Sequence, residues 1–187
     1  MSAWIQTVSG RKFPLLDIEP DVILIDDIAH ALSMLCRFNG QCERFYSVAE
    51  HSVHVSYEIE PDLAMVGLMH DAAEAYLGDV PSPLKRELRD FKGIEDNLLR
   101  AIGVKFGFAL PEEGTEEGDE LKRADKQLLI DEKAAIMAPQ PEPWPPGALP
   151  VKDPNRIEGW PPEIAKAKFL ERFHELNGKG ANRPAAG

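Results

Sequence analysis

The run Leu63-Ala64-Met65-Val66-Gly67-Leu68-Met69-His70-Asp71-Ala72-Ala73-Glu74-Ala75-Tyr76-Leu77 constrains this chain most. Its residues favour helix and are apolar on nearly every side. A helix of that kind is buried, so other helices must surround it. His70, Asp71 and Glu74 interrupt it, and Glu74 shares a face with the other two. A carboxylate is costly to bury unpaired, so the pattern asks for a cation or another partner. The plain alternative is a half-exposed helix whose acids meet water or arginine.

The rest of the chain supplies candidate neighbours. Trp4 to Phe13, with the Ser9-Gly10 turn signal, predicts a short β-hairpin. Asp26-Asp27 start a helix running from Ile28 to Cys36, with Gly40 as its stop. Helices follow at 47–59, with Ser47 as N-cap, and at 62–77. Gly78 to Pro83 is a turn that opens a short helix at Leu84-Lys85. Residues 93–107 are amphipathic, and after the acidic stretch 111–120 a long helix spans 118–137. Prolines dominate 139–162, a stiffened excursion expected to pack Trp144 and Trp160 on the bundle. A final amphipathic helix carries Ile164 to Leu176, and 179–187 is expected to be a disordered tail. The prediction is one all-α domain over 1–178, a helical bundle with a small N-terminal hairpin.

Composition narrows the function classes. The chain has 187 residues, 43% of them hydrophobic, enough for a substantial core. Its formal net charge of −11 argues against a nucleic-acid duplex or an anionic membrane as main partner. Only Cys36 and Cys42 are present, which points to free thiols in a reducing compartment rather than a disulfide scaffold. No run reaches membrane-span length and no secretory leader is visible, so the cytoplasm is the expected location.

Upstream of His70-Asp71 lies His51, and downstream lies Asp125. Two imidazoles and two carboxylates suit one divalent cation, whether Mn, Co, Ni, Fe, Zn or Mg, and no thiolate is offered for a closed structural zinc site. An ion with open positions suits metal-assisted hydrolysis. His54 reads as an outer or packing residue beside His51; His30 and His174 read as structural. Arg37 is either a cation at a helix C-terminus or an anion-binding group. Asp79 is a turn residue or N-cap before Pro81, or an acid of the site. Lys85 is a solvated lysine or a phosphate contact.

With these residues in view, the chain resembles the HD-domain metal-dependent phosphohydrolases, all-α proteins whose cation is held by an H…HD…D set. The likeness spans roughly 24–137. Glu50-His51-Ser52, His70-Asp71-Ala72-Ala73-Glu74, Gly78-Asp79-Val80-Pro81-Ser82-Pro83 and Lys85 look like the 5′-deoxynucleotidase branch. Ser9-Gly10-Arg11, Asp27 to Ser33 and Cys36-Arg37-Phe38-Asn39-Gly40 look like short phage and prophage members, some of them dATP triphosphohydrolases. The resemblance implies that His51, His70, Asp71 and Asp125 hold the metal. It makes Arg37 a phosphate contact, Glu74 and Asp79 the managers of water and protons, and Lys85 a second cation at the phosphate. At Phe38 the deoxynucleotidases carry a tryptophan beside the sugar, so this position departs from the pattern. The expected activity is cleavage of phosphate from 2′-deoxynucleotides, mono- or triphosphates, by a protein that also forms homo-oligomers. The rival expectation is a non-catalytic binding or regulatory module on the same scaffold.

Overall fold

Burying the helix of His70 takes neighbours on every side, and the fold provides them. In the computed structural model, which describes residues 3–142 and 149–180, a hairpin of β1 (Trp4–Gln6) and β2 (Lys12–Pro14) comes first. There follow α1 (Ile25–Met34), α2 (Val48–Glu58), α3 (Ala64–Met69), α4 (Glu74–Leu77) and α5 (Ser82–Lys85). The longer helices α6 (Phe91–Phe106), α7 (Glu116–Ile136) and α8 (Pro162–Gly180) complete the chain. The protein is all-α with a small N-terminal hairpin. None of the described helices is long and apolar enough to cross a membrane.

Helix α2 is the axis of the bundle, packed by α1, α3, α7 and α8. Ser47 caps it, its hydroxyl accepting the Glu50 N–H at 3.1 Å. Thr115 caps α7 in the same way through Gly118 N–H. Glycine sets the approach of α3 to α2: a Cβ on Gly67 would lie 2.9 Å from Ile59 Cγ2 and 3.2 Å from the Val55 carbonyl oxygen. The hairpin pairs Ile5 with Phe13, and the buried Phe13 ring stacks on Tyr76 at 3.8 Å between centroids. Asp27, buried in the first turn of α1, anchors the hairpin turn by accepting the Ser9 N–H and hydroxyl at 3.1 and 2.7 Å.

Two boundaries differ from expectation. Helix α1 starts at Ile25 and ends at Met34, so Arg37-Phe38-Asn39-Gly40 is a separate turn rather than its C-terminus. The apolar run is not one helix over 62–77. It divides into a 3₁₀ turn at Pro61–Leu63, α3, a tightened stretch at 70–73, and α4. In that stretch Ala72 N–H reaches Met69 O at 3.0 Å and Glu74 N–H reaches Asp71 O at 3.0 Å, both three-residue bonds. Such winding turns the chain further per residue than an α-helix does, and here it falls on the His-Asp motif.

The proline-rich excursion is fastened by carboxylates. Glu58 on α2 meets Lys152 Nζ at 2.7 Å and Arg156 Nη1 at 2.8 Å, while Arg156 Nη2 meets buried Asp131 at 2.7 Å. Trp160 is buried as expected; Trp144 and the 181–187 tail lie outside the described residues, and α8 runs on to Gly180. Burial raises the Glu58 pKa, but the hydrogen bonds from Lys152 and Arg156 outweigh it, leaving the value below the ordinary 4.5. A depressed folded pKa stabilises the protein above the unfolded value, and that contribution is lost as pH falls through the folded one. Glu58→Gln is therefore expected to cost about 1–2 kcal/mol near neutrality. The deficit should shrink below about pH 4. Urea unfolding of both proteins across pH checks this.

Candidate metal centre

His51 comes from the first turn of α2, His70 and Asp71 from the tightened stretch after α3, and Asp125 from α7. The close seating of α3 on α2 brings the two imidazoles together at an interplanar angle of 55°, with His51 Nε2 and His70 Nε2 3.4 Å apart. Asp125 Oδ1 lies 3.2 Å from His51 Nε2. Asp71 Oδ2 lies 3.2 Å from His70 Nε2 and 3.7 Å from His51 Nε2. His51, His70 and Asp125 form a cluster able to hold a metal ion. Asp71 stands beside the same two nitrogens. His51 is fully buried, whereas the Asp125 side chain is 43% exposed, so the cluster opens to solvent on the α7 side.

The outer nitrogen of each ring has its own partner. His70 Nδ1 lies 2.8 Å from the Gly67 carbonyl oxygen, which can only accept, so Nδ1 carries the proton. His51 Nδ1 lies 2.6 Å from Glu132 Oε1. In the neutral rings both Nε2 lone pairs then face the centre. Two lone pairs at 3.4 Å with two carboxylates around them repel unless a positive charge sits among them. Neighbouring ligands about 2.1 Å from one octahedral ion stand roughly 3 Å apart, close to these separations. The donor set therefore fits a divalent cation.

The electrostatics carry the same imprint. Burial opposes protonation of His70, but Asp71 outweighs it and pushes the pKa up to about 9. Burial and the Arg37 charge both lower that of His51, yet Glu132 and Asp125 leave it raised. Asp71 is held far below the carboxylate range, because His70, His51 and Arg37 overcome its desolvation. Burial alone would raise Asp125, and the His51 hydrogen bond brings it below its usual value. The centre attracts positive charge from several directions.

Beside it runs a cleft of about 500 Å³ whose lining includes Arg37, Phe38, Asp71, Glu74, Asp79, Lys85 and Asp125. Arg37 sits on a turn in which Phe38 (φ 57°) and Asn39 (φ 52°) both adopt left-handed backbone. That conformation costs on the order of 1–3 kcal/mol for a bulky residue such as phenylalanine, and persists only where the surroundings enforce it. Arg37 Nε and Nη2 each lie 3.2 Å from Glu132 Oε2, and Nη1 lies 3.6 Å from Asp71. The guanidinium is thus held at the cleft wall by carboxylates rather than by a helix terminus. Phe38 lines the cleft and packs against the apolar cluster of Tyr46, Val55 and Leu128.

Gly78, at φ 83° and ψ 158°, makes a corner closed to other residues and turns Asp79 into the cleft lining. Glu74 is buried; its Oε1 meets Lys85 Nζ at 3.2 Å, and its Oε2 has no hydrogen-bond partner. Burial, with Asp71 and Asp79 nearby, pushes the Glu74 pKa up to about 9 against the pull of Lys85. Burial raises Asp79 as well. Lys85 lines the cleft, but its ammonium is tied to Glu74 and, at 2.7 Å, to Glu95. His54 packs against Trp160 with ring centroids 5.1 Å apart, outside the cluster, and His30 and His174 lie away from it. Cys36 and Cys42 are free thiols with Sγ atoms 3.7 Å apart.

Two carboxylates that sequence reasoning left without a role prove central. Glu132 supports both His51 and Arg37. Its only sequence signal was its position two turns beyond Asp125, on the same face of α7. Glu50, next to His51, is fully buried and accepts the backbone N–H groups of Glu158, Gly159 and Trp160 at 3.0, 2.9 and 2.5 Å.

Fold and site define an all-α protein with a His/His/Asp cluster, flanked by Asp71, at the edge of a polar cleft. The chain belongs to the family of the Escherichia coli (strain K12) protein named "Uncharacterized protein YfdR", with 37% identity over 176 residues, 94% of this chain and 96% of that one. An uncharacterized protein of Rhodobacter capsulatus is 38% identical over 115 residues, 56% of this chain and 59% of its own. No family model matches the chain.

Proposed function

We propose that this protein is a phosphohydrolase of the HD-domain type, dependent on one divalent cation and acting on nucleotides, with 2′-deoxynucleotides as the first candidates. The observation that carries this reading is the convergence of His51, His70 and Asp125, with Asp71 beside them, next to the Arg37 guanidinium at a cleft. These four side chains would hold the cation, which supplies an activated water and neutralises charge on a phosphoryl oxygen when bound. Arg37 keeps N–H groups beyond those held by Glu132, and a guanidinium fork suits phosphate oxygens. Glu74, its pKa raised by burial and its Oε2 free of hydrogen bonds, is placed to accept a proton from the attacking water or give one to the departing oxygen. Lys85 holds Glu74 in place and moderates its affinity for that proton. Phe38 offers an apolar face at the cleft for the sugar or base.

The test is a panel of dNMPs, dNTPs and their ribo counterparts, assayed with Mn²⁺, Co²⁺, Ni²⁺ and Mg²⁺ and with products identified. Orthophosphate from a monophosphate, or tripolyphosphate from a triphosphate, is the expected result, with turnover abolished by a chelator. A folded protein that releases neither product with any cation would contradict the proposal and leave a non-catalytic module.

A further inference from the structure

Glu132 is completely buried on α7, and an ionised carboxylate there is costly unless every lone pair is engaged. The fold engages it from three sides. Oε1 accepts from His51 Nδ1 at 2.6 Å and from the buried Tyr46 hydroxyl at 3.0 Å, while Oε2 accepts from Arg37 Nε at 3.2 Å. Burial raises its pKa, but Arg37 and His51 more than compensate and keep it below the ordinary value. Stability alone does not explain such an arrangement, since apolar residues of similar volume fill a core at least as well. What this carboxylate joins are a group of the cluster and the cation at the cleft wall.

We propose that Glu132 is a positioning residue that fixes His51 with Nε2 turned to the metal centre and, through its second oxygen, fixes the Arg37 guanidinium at the cleft. The inference rests on the metal-dependent reading above. A carboxylate behind a ligating imidazole locks its tautomer and strengthens it as a ligand, and such partners carry on the order of 10–100-fold in metal affinity. Here the same carboxylate also sets where an anion meets Arg37. Cation and anion sites are thereby built on one side chain, and a disturbance of Glu132 reaches both.

Titration with Co²⁺, followed by its visible absorption in the absence of any substrate, tests this in the wild type and in Glu132→Gln. The amide keeps the size but can accept at only one atom, and its NH₂ opposes either His51 or Arg37. The expected variant is folded, binds Co²⁺ roughly 10–100-fold more weakly with an altered spectrum, and binds inorganic phosphate more weakly at saturating metal. A folded variant with wild-type Co²⁺ affinity and spectrum would overturn the positioning role alone. A wild type that binds no Co²⁺ would overturn the metal-dependent reading and this inference with it. If Glu132→Gln does not fold, nitrogen-15 NMR of the wild-type histidines with Zn²⁺ decides. His51 protonated at Nδ1 supports the role; His51 protonated at Nε2 refutes it.

Discussion

Asp71→Ala is expected to abolish cation binding and phosphate release together while leaving a helical protein. Asp71 Oδ2 lies within 3.2–3.7 Å of His70 Nε2, Arg37 Nη1 and His51 Nε2, so one oxygen serves three groups. Its removal leaves two imidazoles and a guanidinium facing one another with only Asp125 and Glu132 to balance them. The loss in metal affinity should exceed the roughly 10–100-fold that removal of an outer partner costs, because a candidate ligand itself is gone. The fold should tolerate the change: Asp71 is partly exposed, at 21%, and alanine suits the tight turn it occupies. Titration with Mn²⁺, the phosphate-release assay and circular dichroism provide the check. Retained metal binding and turnover in this variant would contradict the assignment of Asp71.

The second large effect is on stability. Glu50→Ala is expected to cost about 3–5 kcal/mol, because it strands the buried Trp160 N–H and takes the carboxylate partner from the half-buried donors of Glu158 and Gly159 at once. Their carboxylate partner is fully buried at the start of α2, and the three N–H groups belong to the segment that leads Trp160 into the core. The segment should detach before the bundle melts, so protease cleavage between 150 and 160 should rise steeply in the variant. Urea denaturation gives the free energy. A loss below about 1 kcal/mol would mean that the apolar contacts of Ile157 and Trp160 hold the segment without Glu50.

What could be read from the sequence followed local rules. Periodicity gave helices near their observed places, and Ser47 was legible as a cap because its hydroxyl acts within one turn. The clustering of His51, His70 and Asp125 was legible as a metal-ligand chemistry, since imidazole and carboxylate in a buried setting need a positive partner. The rest depended on distant contacts. The break at 70–73 accompanies a contact between the His70 side chain and the Gly67 carbonyl, which no helix propensity encodes. Phe38 and Asn39 adopt left-handed backbone although phenylalanine disfavours it, so only the assembled fold reveals that turn. Glu132, Glu50 and Glu58 looked like ordinary helical acids; their partners lie far along the chain, where spacing carries no signal.

Anomalous X-ray diffraction from crystals grown with Mn²⁺ tests the central claim most directly. The account predicts one strong peak per chain among His51 Nε2, His70 Nε2 and the carboxylates of Asp71 and Asp125. A peak elsewhere, or none at saturating Mn²⁺ with these four side chains ordered, would contradict it.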